Sequence, residues 1–168
     1  RVLHQFNSYR EGAEKTAAEV QAAGASVDLL QADLSTIEGI HDLLDRLKAS
    51  PPQADILVNN AGHLVKRAKL MEVTEETWDQ VMNLNAKSMW FITQAVVPHM
   101  IERRDGVIVN VSSIAARNGG GPGATVYAAS KAAVATITKG WAKELAPQGI
   151  RVNAVSPGTV DNYFHEKH

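Results

Sequence analysis

The sequence predicts an α/β fold built on a doubly wound parallel sheet, and three observations carry that prediction. Short β-branched runs alternate with longer helical patterns along the whole chain, the strand runs are apolar without polar alternation, and no repeat or low-complexity linker interrupts the order. Continuously apolar strands separated by helices are the pattern of a parallel sheet covered by helices on both faces. At 168 residues the chain has the size of one domain and can bury a core. We therefore read residues 1–168 as a single domain.

Taken in order, RVLHQF (1–6) reads as a strand and EGAEKTAAEVQAAG (11–24) as a helix that Gly24 stops. ASVDLLQADL (25–34) is the next strand, and Ser35 is placed to cap the helix TIEGIHDLLDRLKAS (36–50). Pro51 and Pro52 break the chain before ADILVNNAG (54–62), a strand running into a turn. Thr74, followed by Glu76 and Thr77, resembles a capping box and opens one long helix through residue 103. GVIVNVSS (106–113) is a buried-type strand, residues 124–147 form a helix, and IRVNAVSPG (150–158) is the last strand.

Composition narrows the function classes. Hydrophobic residues make up 45% and charged residues 21%, ordinary for a soluble globular protein. With 17 basic and 18 acidic side chains and no basic stripe, neither nucleic acid nor an anionic membrane is an expected partner. The lack of cysteine excludes disulfides and thiolate metal sites and fits a reducing, cytoplasmic compartment. No apolar run reaches membrane-spanning length, and the opening RVLHQFNSYR lacks the apolar core of a signal peptide. The histidine pair of HEKH (165–168) is not the zinc-protease pattern, so no metal site is expected.

One stretch carries chemistry of its own. In VYAASKAAV (126–134), Tyr127 and Lys131 stand at i and i+4 in a helix-favouring run and so share one face. An ammonium near a phenol favours the phenolate and lowers the phenol's pKa, which would let Tyr127 exchange a proton close to neutral pH. A surface tyrosine beside a solvated lysine fits the same spacing, and only the other segments separate the two readings.

Four segments do so. NNAG (59–62), NLNAKSMWFITQA (83–95), VNVSS…YAASK (109–131) and RVNAVSPGTV (151–160) together resemble the classical short-chain dehydrogenase/reductases, and the resemblance runs essentially from end to end. It implies a Rossmann-like fold and hydride transfer between NAD(P) and a carbonyl or secondary alcohol. On this resemblance Tyr127 is the general acid or base, Lys131 lowers its pKa and holds the nicotinamide ribose, and Ser113 hydrogen-bonds the substrate oxygen. Asn85 holds a water that connects Lys131 to solvent. Ser113 is chosen over the adjacent Ser112 although it lies 14 positions before Tyr127, one more than the family spacing; RNGGGPGA absorbs the extra residue. Asn85 is chosen over Asn83, which is then an ordinary polar residue of the same helix.

The resemblance also implies a cofactor site. Asp33 matches the residue contacting the adenine amino group, with Leu34 beside it, and Asn60, Ala61 and Gly62 pack against adenosine. Pro157, Gly158 and the backbone of Val160 line the nicotinamide, and Asn162 stands where the family often has threonine. The end of the first strand carries no acid before Glu11, while Arg10 is close, so NADP is favoured over NAD.

The family's Gly-rich phosphate loop is missing, and GGGPG (119–123) is no substitute because it leads into the Tyr127 helix. In the strand order 3-2-1-4-5-6 the first strand is central. We expect residues 1–168 to be part of a longer chain, with a β-α unit before Arg1 and a final strand after the substrate lid that begins near DNYFHEKH (161–168). The helices around 83–100 and 132–145 fit the family's subunit contact, which implies a homotetramer or homodimer, with Trp78, Trp90 and Trp141 as core or interface residues. A non-catalytic dinucleotide sensor or scaffold of the same fold is the alternative; the intact set Asn85, Ser113, Tyr127 and Lys131 weighs against it.

Overall fold

The computed structural model describes residues 1–160. Strands and helices alternate as β1 (Val2–Phe6), α1 (Arg10–Ala22), β2 (Val27–Gln31), α2 (Ile37–Ala49), β3 (Ile56–Asn59), α3 (Glu75–Met82), α4 (Ser88–Arg103), β4 (Gly106–Val111), α5 (Ala115–Asn118), α6 (Thr125–Leu145) and β5 (Ile150–Val155). All strand pairs among the described residues are parallel. β1 pairs with β2, and a second sheet has the order β3-β4-β5. Among the described residues no strand pairing joins the two sheets.

Two apolar clusters hold these pieces together. Met89, Val96 and Met100 of α4 and Val134, Trp141 and Leu145 of α6 close over Ile108, Ile150 and Val152 of the three-stranded sheet. Ile40, Leu43, Leu44 and Leu47 of α2 pack with Ala32 and Leu34 after β2, and α2 leans on α4 through Ile92 and Ala95. Register partners share a face of the sheet. Gly106, Ile108 and Asn110 are therefore buried beneath α4 and α6. Ile56 and Val58, paired with Val107 and Val109, lie on the opposite face and are 63% and 57% exposed.

Local chemistry explains the boundaries. Gly24 ends α1 in the left-handed region, φ +85°, which only glycine occupies without cost. Thr36, not Ser35, caps α2: its hydroxyl accepts from the Gly39 amide at 3.0 Å. Ser35 instead turns back, donating to Asp33 Oδ1 through its amide (2.9 Å) and hydroxyl (2.7 Å). Two adjacent hydroxyl residues are equally good caps by type, and the turn at Asp33 decides between them. Thr74 caps α3 by accepting from Thr77 N at 3.1 Å. The reciprocal half of a capping box needs Glu or Gln three residues on, and Thr77 offers only a hydroxyl.

The single helix expected up to residue 103 is two helices joined by a π-turn at Asn83–Lys87. A π-turn inserts an extra residue into the helical ladder while keeping the apolar stripe nearly continuous, so periodicity does not reveal it.

Candidate active site

Tyr127 sits in the first turn of α6, and Lys131 follows one turn later, as their spacing predicts. Lys131 is buried and its Nζ lies 5.9 Å from the Tyr127 ring centroid. The same Nζ donates to the carbonyl of Val111, the last residue of β4, at 2.8 Å. Burial lowers the Lys131 pKa to about 8, which leaves the ammonium predominant at neutral pH. Tyr127 moves the other way. Burial raises its pKa, and a hydrogen bond with Ser113 pulls it back in part. This corrects the expectation that Lys131 alone would set the phenol low: the ring is half-buried, and desolvation of the phenolate prevails. Tyr127 is accordingly protonated at neutral pH.

The two serines at the end of β4 divide their work. Ser112 is buried; its hydroxyl donates to the Lys131 carbonyl at 2.8 Å and its amide to the Val155 carbonyl at 2.8 Å. It ties β4 to both α6 and β5. Ser113 is bonded to Tyr127 and accepts from the Ala115 amide at 3.1 Å. Alternation along the strand sends adjacent side chains in opposite directions, so only Ser113 shares the space of Tyr127.

Asn85 lies in the π-turn and is buried. Its side chain accepts from the His63 amide (3.0 Å) and donates to the carbonyls of His63 (2.9 Å) and Val81 (2.9 Å). The turn after β3 is thereby clamped to the junction of α3 and α4. Gly62 fits beneath this clamp: a Cβ there would stand 2.6 Å from Lys131 Nζ and 2.7 Å from Asn85 Oδ1. Asn83 is more than an ordinary polar position, since it too is buried and donates to the Ser35 carbonyl at 3.3 Å.

Sequence reasoning missed His63 and a buried polar chain behind the site. Asn59 donates to Thr93 (3.0 Å) and Asn110 (2.9 Å), Asn110 donates to Thr138 (2.9 Å), and Thr138 donates to the Val134 carbonyl (2.7 Å). The signal was a polar residue inside each apolar strand, Asn59 in ILVN and Asn110 in GVIVNV. Buried amides of this kind must find partners, and these join β3, β4, α4 and α6.

The expected cofactor residues gather at the carboxyl ends of the strands, where open α/β sheets bind ligands. Arg10 follows β1; its guanidinium donates to Gln31 Oε1 at 3.0 Å and lies 5.3 Å from the Phe6 ring centroid. Asp33 follows β2 with one carboxylate oxygen held by Ser35. Leu34 is only 2% exposed within the α2 cluster, so its side chain belongs to the core and only its backbone accompanies Asp33. Asn60 and Gly62 are exposed after β3, and Ala61 is half-buried against the α2 cluster. After β5, the Pro157 carbonyl accepts from the Ile114 amide at 2.9 Å, and Gly158 and Val160 are exposed. Asn162 and the histidines at 165 and 168 lie outside the described residues. This row suits an extended dinucleotide: a glycine with no room for a side chain, an ammonium directly behind it, and an exposed asparagine, glycine and proline along the rim. A separate concavity between α6 and β5, lined by Ala132, Thr136, Lys139 and Asn153, contains none of these residues.

Residues 2–167 match the family described as short chain dehydrogenase. The 3-oxoacyl-[acyl-carrier-protein] reductase of Thermotoga maritima is 42% identical over 158 residues, 94% of this chain. The chain spans 63% of that relative's length. Among solved structures, an NADH-dependent reductase complexed with NAD superposes with TM-score 0.81 at 34% identity, covering 95% of this chain and 69% of that one. A candidate NAD(P) dependent gluconate 5-dehydrogenase from Beutenbergia cavernae with bound NADP superposes with TM-score 0.84 at 32% identity, covering 96% and 64%.

Proposed function

Since the chain belongs to the short-chain dehydrogenases, we propose that it is part of an NAD(P)-dependent oxidoreductase that interconverts a carbonyl and an alcohol, with Tyr127 as the proton donor. The observation that carries this reading is Tyr127, protonated at neutral pH, hydrogen-bonded to Ser113 and standing over the buried ammonium of Lys131. The bound nicotinamide supplies or receives the hydride. In the reducing direction Tyr127 passes its phenolic proton to the substrate oxygen, and the Ser113 hydroxyl donates to that oxygen as negative charge builds on it. Lys131 stabilises the phenolate left behind, and Asn85 and Gly62 keep its Nζ in place through the His63 turn. In the oxidising direction the same phenolate takes the proton back.

Arg10, Asp33, Asn60, Ala61, Gly62, Pro157, Gly158 and the backbones of Leu34 and Val160 would hold the dinucleotide. We favour NADP over NAD because the end of β1 presents Arg10 and no carboxylate before Glu11. We also favour a cytoplasmic homo-oligomer. Trp90 and Phe91 are 43% and 41% exposed on α4, and Trp90 lies 5.2 Å from Trp141 of α6, an aromatic surface suited to a partner subunit.

The test is oxidation of NADPH and NADH by the full-length protein against a panel of ketones, beside Tyr127→Phe. Removing the phenol is expected to lower kcat by about 100-fold or more with dinucleotide binding retained. Equal turnover by the variant would refute the mechanism.

A further inference from the structure

The loop between Gly62 and Ala68 reads HLVKR: it carries His63, Lys66 and Arg67 and no acid. It is fastened at both ends to the site. At its start the Asn85 amide brackets the main chain of His63. At its end Ala68 N donates to the Gly123 carbonyl at 3.0 Å, and Gly123 immediately precedes Ala124, the N-cap of the helix whose first turn holds Tyr127. The Arg67 guanidinium donates to the Pro122 carbonyl at 2.9 Å, and a Cβ on Gly123 would stand 3.3 Å from the Arg67 Cβ. Arg67 is thus built into the segment that delivers Tyr127.

The path of the loop is strained. Val65 has φ +65°, a conformation rare for a β-branched residue, within a tight turn closed by Lys66 N donating to the Leu64 carbonyl at 2.8 Å. His63 Nδ1 accepts from the Val65 amide at 2.8 Å and holds the turn. Strain of this kind persists where the surroundings over-determine it, and it clusters at ligand sites. Here the chain is forced to place two cations in succession directly after it.

Resting on the oxidoreductase reading above, we propose that Arg67, with Lys66, is the recognition site for the carboxylate of a small keto- or hydroxy-acid substrate whose carbonyl or alcohol faces Tyr127. A planar guanidinium presents its donors in a fork that matches a carboxylate, and the geometry of Arg suits that anion better than an ammonium does. An acidic protein surface is a poorer occupant. The basic stretch is only a few residues long, and Glu72, Glu75, Glu76 and Asp79 follow it closely and would repel a broad negative patch.

The test uses the full-length protein with 5-keto-D-gluconate and, as a neutral ketose of equal length, D-fructose. Arg67→Gln is expected to raise KM for the keto acid about tenfold, the weight of one charge-assisted contact, with kcat and the fructose reaction changed far less. Arg67→Lys should recover part of the loss. Lys66→Gln, at an exposed position, gives a smaller effect in the same direction and covers the case that the Arg67 variant folds poorly. Calorimetric titration with D-gluconate and D-sorbitol in the presence of dinucleotide should show the same discrimination without turnover. Equal effects of Arg67→Gln on both ketones would overturn the carboxylate site while leaving the Tyr127 chemistry standing. A loss confined to a ketoacyl carrier-protein substrate would overturn it in favour of a protein partner. Full activity of Tyr127→Phe on both ketones would bring down the oxidoreductase reading and this one with it.

Discussion

Gly62 and Lys131 are in direct steric register: the space a Cβ on Gly62 would need ends 2.6 Å from the lysine Nζ, with Asn85 Oδ1 at 2.7 Å on the other side. No side chain enters that corner without moving the ammonium off the Val111 carbonyl or opening the Asn85 clamp on His63. The NNAG turn is therefore a spacing device for the Lys131 ammonium.

Gly62→Ala follows as the first test of this arrangement. Overpacking beside two buried polar groups is expected to cost about 1–3 kcal/mol of stability. Displacement of Lys131 should lower kcat more than it raises the dinucleotide KM. Denaturant unfolding and steady-state kinetics of the one variant check both, and a fully active, equally stable Gly62→Ala would show that the corner has slack.

The adjacent serines should separate stability from chemistry. Ser112→Ala removes a buried hydrogen bond from β4 to the Lys131 carbonyl and is expected to destabilise by about 1 kcal/mol. Ser113→Ala removes the hydroxyl beside Tyr127, with an expected loss of about 100-fold in kcat and little change in Tm. Thermal melts set beside kcat for each variant are sufficient. The reverse pattern would mean that the roles of the two serines are exchanged.

The sequence spoke clearly where one residue type at one spacing had one physical outcome. Tyr127 and Lys131 fall on one face because a helix has 3.6 residues per turn, and Gly24 ends α1 because its φ is positive. It was silent where neighbours compete. Ser35 and Thr36 are both good caps, and the acceptor on Asp33 settles the matter. The π-turn around Asn85 hides inside an unbroken apolar stripe, and the burial of Leu34 depends on where α2 lands. The direction of the Tyr127 shift is hidden for a similar reason: spacing displays the nearby charge but not the loss of water around the ring.

That loss of water also fixes how the molecule responds to pH. Lys131 is lowered from an ordinary 10.5 to about 8 by burial. Between those values the unfolded chain binds a proton that the folded chain does not, so folding stability gains as pH rises through this window. Below about pH 8 both states are protonated and the cost of burying the ammonium is fully present, on the order of 3 kcal/mol. Lys131→Met removes the titrating group, and the wild type should therefore gain stability relative to the variant between about pH 8 and 10. Tyr127 acts oppositely: with its pKa raised above 10.0, it favours the folded state below that value and withdraws support as pH rises past it. The reduction rate should fall on the alkaline side as Lys131 loses the charge that stabilises the Tyr127 phenolate, with an apparent midpoint near 8. Chemical denaturation of wild type and Lys131→Met across this range, beside a kcat profile of the wild type, tests both statements. Parallel stability curves would show that Lys131 is not desolvated, and a rate flat to pH 10 would remove it from the proton-delivery step.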